Sequence, residues 1–212
     1  MNSSDKFDYK KEYRDLYIPK DKPSLVQVPP MNFVMIDGEG DPNGREFEEV
    51  VGLLYAITFT IKMSKKGDFK PEGYFEYVVP PLEGLWGTKE NCFSLDDRDN
   101  WKWTIMIRQP EFVTNEVFEW AKAEVKNKKG LNSDRARFEV FDEGLCVQAM
   151  HKGPYSKESE TMEKIYDFIK KEELIDRVVL GERHHEIYLS DPRKVKPENM
   201  RTVLRHPVKK EE

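Results

Sequence analysis

The order of hydrophobic periods, which occurs twice along the chain, restricts the fold most. Phe33-Val34-Met35-Ile36 reads as a strand that runs into the turn-rich segment Asp37-Gly38-Glu39-Gly40-Asp41-Pro42-Asn43-Gly44. Phe47, Val50, Val51, Leu54, Thr58 and Ile61 then recur at helical spacing, which predicts a helix to about Ser64, with Asn43 as cap and Glu46 as third helical residue. Strands are expected over Gly73 to Val79 and Trp101 to Arg108, separated by a loop through Pro80-Pro81, Trp86, Asp96, Asp97 and Asp99. A connecting helix capped by Thr114, with an apolar stripe of Val117, Phe118, Ala121 and Val125, leads to a second copy. There Gly144 to His151 is a strand closed by Lys152-Gly153-Pro154-Tyr155, and Ser156 opens a helix with Met162, Ile165, Tyr166 and Ile169 on one face. Thr104 to Pro110 matches Ile187 to Pro192 as a strand closed by proline. Duplicated strand-helix-strand-strand units predict an α+β fold with a pseudo-twofold. Their antiparallel sheet would carry helices on one face and a central concave groove on the other.

Composition is compatible with this plan and removes several function classes. The 212 residues, 38% hydrophobic and 12% aromatic, suit one compact domain or two tightly joined halves. With 40 acidic against 35 basic residues, the net charge of -5 offers no general attraction to nucleic acid, so direct DNA binding is not expected. No apolar run is long enough to span a membrane, and the start Met1-Asn2-Ser3-Ser4-Asp5 lacks the apolar stretch of a signal peptide, so a cytoplasmic protein without membrane contact is expected. Cys92 and Cys146 share no metal-type spacing and indicate no disulfide framework; Cys146 reads as a buried strand residue.

The segment His185-Glu186-Ile187-Tyr188-Leu189 carries the leading candidate for chemistry. Alternation on a strand puts Glu186 and Tyr188 on one face and Ile187 and Leu189 on the other, so a carboxylate and a phenol point together, toward either a cavity or water. Trp101 and Trp103 share a strand face, where they line a pocket or cover the core, and Trp86 falls in the expected loop as a lid or a packed anchor. Glu158, Glu160 and Glu163 near the second helix, and Glu39 and Glu76 elsewhere, are further carboxylates; acids at a helix start more often serve its dipole. His151 precedes a turn and is read as a local hydrogen-bonding residue. His184 and His185, adjacent on a strand, point to opposite faces, which argues against a shared metal, and no metal is expected. Gly38-Glu39-Gly40 lacks the remaining residues of a nucleotide fingerprint. Lys209-Lys210-Glu211-Glu212 reads as a solvated charge run.

Asp8-Tyr9-Lys10-Lys11-Glu12, Val28-Pro29 through Pro42, Trp101-Lys102-Trp103, Arg108-Gln109-Pro110, His151 to Tyr155 and Glu186 to Pro192 together resemble the GyrI-like small-molecule-binding domain family. The resemblance spans nearly the whole chain. It implies a single domain over 1 to 212, with repeats of about 32 to 110 and 137 to 205. It also implies an aromatic groove between the repeats, containing a glutamate and accepting planar aromatic or cationic molecules, with no cofactor. Residues 1 to 31 are too short for a helix-turn-helix pair with wing, so a one-component transcription regulator is not expected. Stand-alone members include hydrolases that open the cyclopropane of DNA-alkylating natural products of the yatakemycin type, a detoxification or self-protection chemistry. On that reading Glu186 activates water, Tyr155 or Tyr188 donates to the developing phenolate, and Trp86, Trp101, Trp103 and Tyr77 form the walls. The alternative is a non-catalytic multidrug-binding or sequestering module, in which Glu186 pairs with ligand charge and the tryptophans stack on it. An inhibitor of a DNA-acting protein is the third reading.

Overall fold

The computed structural model describes residues 6–67, 69–89 and 98–211. Cys92, Asp96 and Asp97 lie outside them. Two short N-terminal turns, α1 (Tyr9–Glu12) and α2 (Arg14–Tyr17), precede strands β1 (Ser24–Val28) and β2 (Met31–Glu39). Helix α3 (Arg45–Met63) leads to β3 (Leu82–Thr88) and β4 (Trp101–Arg108), and α4 (Asn115–Lys129) connects to β5 (Arg137–Phe141) and β6 (Gly144–Lys152). Helix α5 (Glu158–Lys171) is followed by β7 (Leu174–Asp176), β8 (His184–Tyr188) and β9 (Arg201–Lys210).

The fold is α+β, a curled, wholly antiparallel sheet in the order β1-β6-β9-β8-β3-β4-β2-β5, with β7 paired to the end of β9. Its middle is palindromic: β6, β9 and β8 mirror β2, β4 and β3 about the β3/β8 pair. The strand equivalent to β4 is therefore β9, not β8, which corrects the match of Thr104 to Pro110 with Ile187 to Pro192.

Local chemistry explains where the elements begin. Asn43 does not cap α3, because its backbone and side-chain N–H groups both bond Asp41 Oδ1, at 2.9 and 2.8 Å; Gly44 takes the cap position. Thr114 Oγ1 does cap α4, accepting from Val117 N at 3.3 Å, and Gly130, at φ 66°, ends that helix in the left-handed region. Tyr155–Lys157 form a 3-10 turn, so α5 starts at Glu158 rather than Ser156.

Two expectations fail at strands. Gly73 to Val79 forms no strand; only Tyr77 makes an isolated bridge, to Phe7. The central strand is instead β3, whose Gly84 and Gly87 disguise it as loop, so Trp86 sits in the sheet and is not a lid. Strand β9 is hidden by charge and by Pro207, which lies beyond the last recorded β8 partner, Arg205 opposite His185. Lys209 and Lys210 belong to it, pairing with β7.

Register separates the two faces of the sheet. Ile36, Ile105, Gly84, Glu186, Leu204 and Ala149 form one row across six strands. Helix α3 packs on β2 and β4 at one end, and α5 packs Ile165 and Ile169 against Ala149, Val147 and Leu204 at the other. Burying each such isoleucine contributes about 1.5–3 kcal/mol. The middle of the row, Gly84 and Glu186, lies between the two helices.

The N-terminal turns cover the opposite face, over a buried charge network that joins the two halves. His185 donates from Nδ1 to Glu143 Oε1 at 2.9 Å and from Nε2 to Glu83 Oε2 at 3.0 Å. Arg205 donates to Glu143 Oε2 at 3.0 Å, to Gln148 Oε1 at 3.0 Å and to the Leu16 carbonyl at 2.8 Å, while Tyr17 donates to Glu83 at 3.3 Å. Burial opposes charge on His185, but the two carboxylates outweigh it and raise its pKa to about 9. Burial likewise opposes charge on Glu143, where His185 and Arg205 prevail and hold it down at about 2. His185 is thus a doubly donating imidazolium.

Candidate functional site

The site is built on the central strands, where the row between the helices holds a glycine and a carboxylate. Glu186 is half-buried, its side chain 15% exposed. Tyr188, two residues on and on the same face, donates to Glu186 Oε2 at 2.8 Å and itself accepts from Trp86 Nε1 at 2.9 Å. The other oxygen, Oε1, lies 3.2 Å from His184 Nε2. Oε2 thus has one protein donor and Oε1 a histidine ring beside it, with lone pairs left over for a further donor or a cation. Gly84 makes room for this: a Cβ there would come within 2.8 Å of Trp86 Nε1 and 3.1 Å of the Tyr188 hydroxyl.

Aromatic rings surround the carboxylate. Phe47, from the first turn of α3, stacks on Trp86 at 5.9 Å and meets Trp103 edge-on at 5.1 Å; Trp101 meets Trp86 edge-on at 5.7 Å. Tyr155, on the turn before α5, meets Tyr188 edge-on at 6.0 Å. Its ring is 41% exposed, and its phenol is pushed up to about 12, by burial and then by Glu158 and Glu186.

Glu158, the first residue of α5, brings a second carboxyl to the group. Its Oε1 is buried without a hydrogen-bond partner among the described residues. Burial, and then the charge of Glu186, raise its pKa to about 9, so it carries a proton at neutral pH. A proton-bearing carboxyl beside a second carboxyl is the arrangement of an acid and base pair. Burial, with Glu186 next in weight, also drives the Tyr188 phenol far above its ordinary value, so it remains a donor.

Five of the residues singled out from sequence therefore converge: Glu186, Tyr188, Tyr155, Trp86 and Trp101. Trp103 stands on the same face but is buried, its indole against Gly38, where any Cβ would collide with the ring, and its Nε1 bonded to the Gly40 carbonyl at 3.2 Å. It supports Phe47 and Trp86 from beneath. Tyr77 is not in the group. It is fully buried against Phe75 and Phe112, below Lys62, because its segment folds back on the N-terminal Phe7 instead of joining the sheet. Glu76 and Glu39 pair with Lys65 and Lys89 and do not join the group. His151 bonds Thr161 and the Pro154 carbonyl.

The converging residues lie on the helix-bearing face, between α3 and α5, whereas the groove is expected from the sequence on the other. That other face is occupied by α1 and α2, whose Tyr9 and Tyr13 rings sandwich Arg108 at 4.5 and 4.3 Å. Two cavities elsewhere, of about 790 Å3 between α3 and residues 129–135 and about 320 Å3 beside Arg137 and Arg183, include none of the candidate catalytic or ligand-binding residues expected from the sequence. Phe47, Gly84 and Glu158 were missed or set aside. The signal for Phe47 was an apolar residue in the first helical turn, and for Gly84 a glycine inside an apolar run.

A family model described as GyrI-like small molecule binding domain matches residues 21–209. Among solved structures, an uncharacterized conserved protein from Listeria innocua is 50% identical, with a TM-score of 0.92, over 96% of this chain and 100% of that one. A hydrolase from Listeria innocua is 48% identical, with a TM-score of 0.88, over 96% and 100% of the two chains. The EcmrR C-terminal domain shares the fold alone, at 12% identity and a TM-score of 0.57, over 90% and 98%. No curated protein matches the chain at significant similarity. Among the described residues, no helix is long and apolar enough to cross a membrane.

Proposed function

The chain belongs to the GyrI-like small molecule binding domain family, and from that premise we propose that the groove at Glu186 binds planar aromatic or cationic molecules and hydrolyses the cyclopropane of yatakemycin-type alkylating agents. One observation carries the reading: an ionised carboxylate with spare lone pairs stands beside a proton-bearing carboxyl, ringed by Trp86, Trp101, Phe47, Tyr155 and Tyr188. A hydrolase at 48% identity over nearly the whole chain supports the reaction class.

In the proposed reaction the drug's polycycle stacks on the indoles, each good ring pair adding about 0.5–1.5 kcal/mol beyond burial. Glu186 removes a proton from water as the oxygen bonds to the free cyclopropane carbon. The strained C–C bond breaks, and its electron pair moves through the ring to the dienone oxygen, which becomes a phenolate. Glu158 supplies the proton that makes it a phenol, and Tyr155, whose hydroxyl has no partner among the described residues, stabilises the oxygen as charge develops. Tyr188 positions Glu186, since its hydroxyl is already committed to the carboxylate and to Trp86. The proton taken by Glu186 replaces the one lost by Glu158, so the site returns to its starting state.

A second reading, sequestration without turnover, draws on Arg98, whose guanidinium lies 5.8 Å over Trp101, the geometry of a cation on an aromatic face. Protein at substoichiometric amounts, incubated with a duocarmycin-type compound in oxygen-labelled water, separates the two. Labelled ring-opened product over many turnovers, lost in Glu186→Gln, is the expected result. Recovery of unchanged compound from a saturable complex would leave the binding module and remove the hydrolase.

A further inference from the structure

The cavity of about 320 Å3 beside Arg137 and Arg183 lies on the opposite face of the sheet from Glu186, toward its β5 edge, and has no part in the reaction above. Register pairs Asp37 with Thr104, Thr104 with Leu85 and Leu85 with His185. That row adjoins the row of Gly84 and Glu186, and neighbouring rows point to opposite faces. Met35, Leu85, Phe141 and Pro207 give the cavity its apolar lining. Thr104 is buried beside them, and its hydroxyl donates to Asp37 Oδ1 and accepts from Arg183 Nη1. The threonine thus anchors the guanidinium without neutralising it. The stem of Arg183 packs over Gly87, its Cγ 3.5 Å from where a Cβ would stand.

Charge decides what such a cavity accepts. Its carboxylates are held by cations of their own: Asp37 and Glu139 by Arg137, Glu143 by His185 and Arg205, and Glu182 by Arg177. Asp142 has no such partner among the described residues but is exposed, where water and salt screen it. Arg183 is the reverse case. It is half-buried, its hydrogen-bond partner is the neutral Thr104 hydroxyl, and it pairs with no carboxylate among the described residues. The rest of its planar fork of donors remains for a ligand. A cation meets it as a like charge; a carboxylate matches its geometry.

We infer that this cavity is a second ligand site, taking a small carboxylate that bears an aromatic or branched aliphatic group. The carboxylate accepts from the fork of Arg183, and the apolar group covers Leu85, Met35 and Phe141. Ligand cavities run from about 300 to 1,000 Å3, so this one suits a single ring rather than a polycycle. The site does not depend on the function proposed for the groove at Glu186.

Phenylacetate and its uncharged analogue phenylacetamide, titrated into the intact protein and followed by NMR, test the inference. Phenylacetate is expected to bind saturably and to shift the methyl signals of Met35, Leu85 and Thr104, leaving the indole N–H signals of Trp86 and Trp101 in place. Phenylacetamide is expected to bind at least about tenfold more weakly, and Arg183→Gln to bring phenylacetate down to the same level. The acid and amide comparison uses the wild type alone, so it stands should Arg183→Gln fail to fold. Equal affinity for acid and amide, shifts centred on the indoles, undiminished binding by folded Arg183→Gln, or no saturable binding of phenylacetate would each overturn the inference.

Discussion

At the scale of residues, two carboxyls stand close enough that burial and the charge of Glu186 together raise the pKa of Glu158. Glu186 accepts from Tyr188 on one oxygen and has His184 beside the other, and Glu158 has a buried, unpartnered oxygen and a pKa raised to about 9. A bound cation favours the ionised form of Glu158, so its pKa falls and a fraction of a proton is released at pH 7 to 8. Calorimetry of planar-cation binding in buffers of different ionisation enthalpy is expected to detect that release, and Glu158→Gln to abolish it. Tyr155→Phe removes the donor proposed for the developing phenolate. It is expected to lower the ring-opening rate by about tenfold or more at nearly unchanged affinity, read from single-turnover rates. An equal loss of affinity with an unchanged rate constant would place Tyr155 in binding alone.

Among the elements, the buried network across β3, β6, β8 and β9 ties the two halves together. Removing the charge of Glu143 leaves His185 and Arg205 short of a partner, so Glu143→Gln is expected to cost about 3–5 kcal/mol in denaturant unfolding. The pH dependence follows from the two shifts. His185 has its pKa raised from 6.5 to about 9, so its contribution, on the order of 3 kcal/mol, is complete below pH 6.5 and lost as pH rises through 9. Glu143 is lowered from 4.5 to about 2, so its contribution is complete above pH 4.5 and lost as pH falls through 2. Unfolding free energy measured against pH should therefore decline on the alkaline side, and in a His185→Gln variant that decline should be smaller.

The elements also show what was legible in the sequence. Helices α3 and α5 were readable from apolar stripes, and β8 from strict alternation around Glu186, because one face of each is buried. Strands β3 and β9 were not: β3 has glycine where neighbouring side chains need the space, and β9 has Pro207 and charged residues that find partners only in the folded molecule, Arg205 on Glu143 and His206 on Asp176. The same limit concealed the site. Alternation showed that Glu186 and Tyr188 point together, but Trp86 reaches Tyr188 across a strand pair, and Glu158 reaches the groove from a helix that follows a 3-10 turn. Tyr77 looked like a wall residue only while its segment was taken for a strand.

For the whole molecule, the palindromic strand order puts the pseudo-twofold at the β3/β8 pair, under the gap between α3 and α5. Each helix is held by its own half of the sheet, so the groove floor belongs to neither half alone. Gly84 and Glu186 are partners across that central pair, and the Trp86 indole and the Tyr188 hydroxyl lie over Gly84 because it has no side chain. Gly84→Val forces both groups from their places beside Glu186, so the proposed site is expected to lose its geometry. Isothermal titration of a planar aromatic cation such as ethidium into wild type, Gly84→Val and Glu186→Gln tests the location of the site directly. The account predicts one-to-one binding to the wild type, weakened by about tenfold or more in Glu186→Gln and absent in a folded Gly84→Val; affinity unchanged in both variants would contradict it.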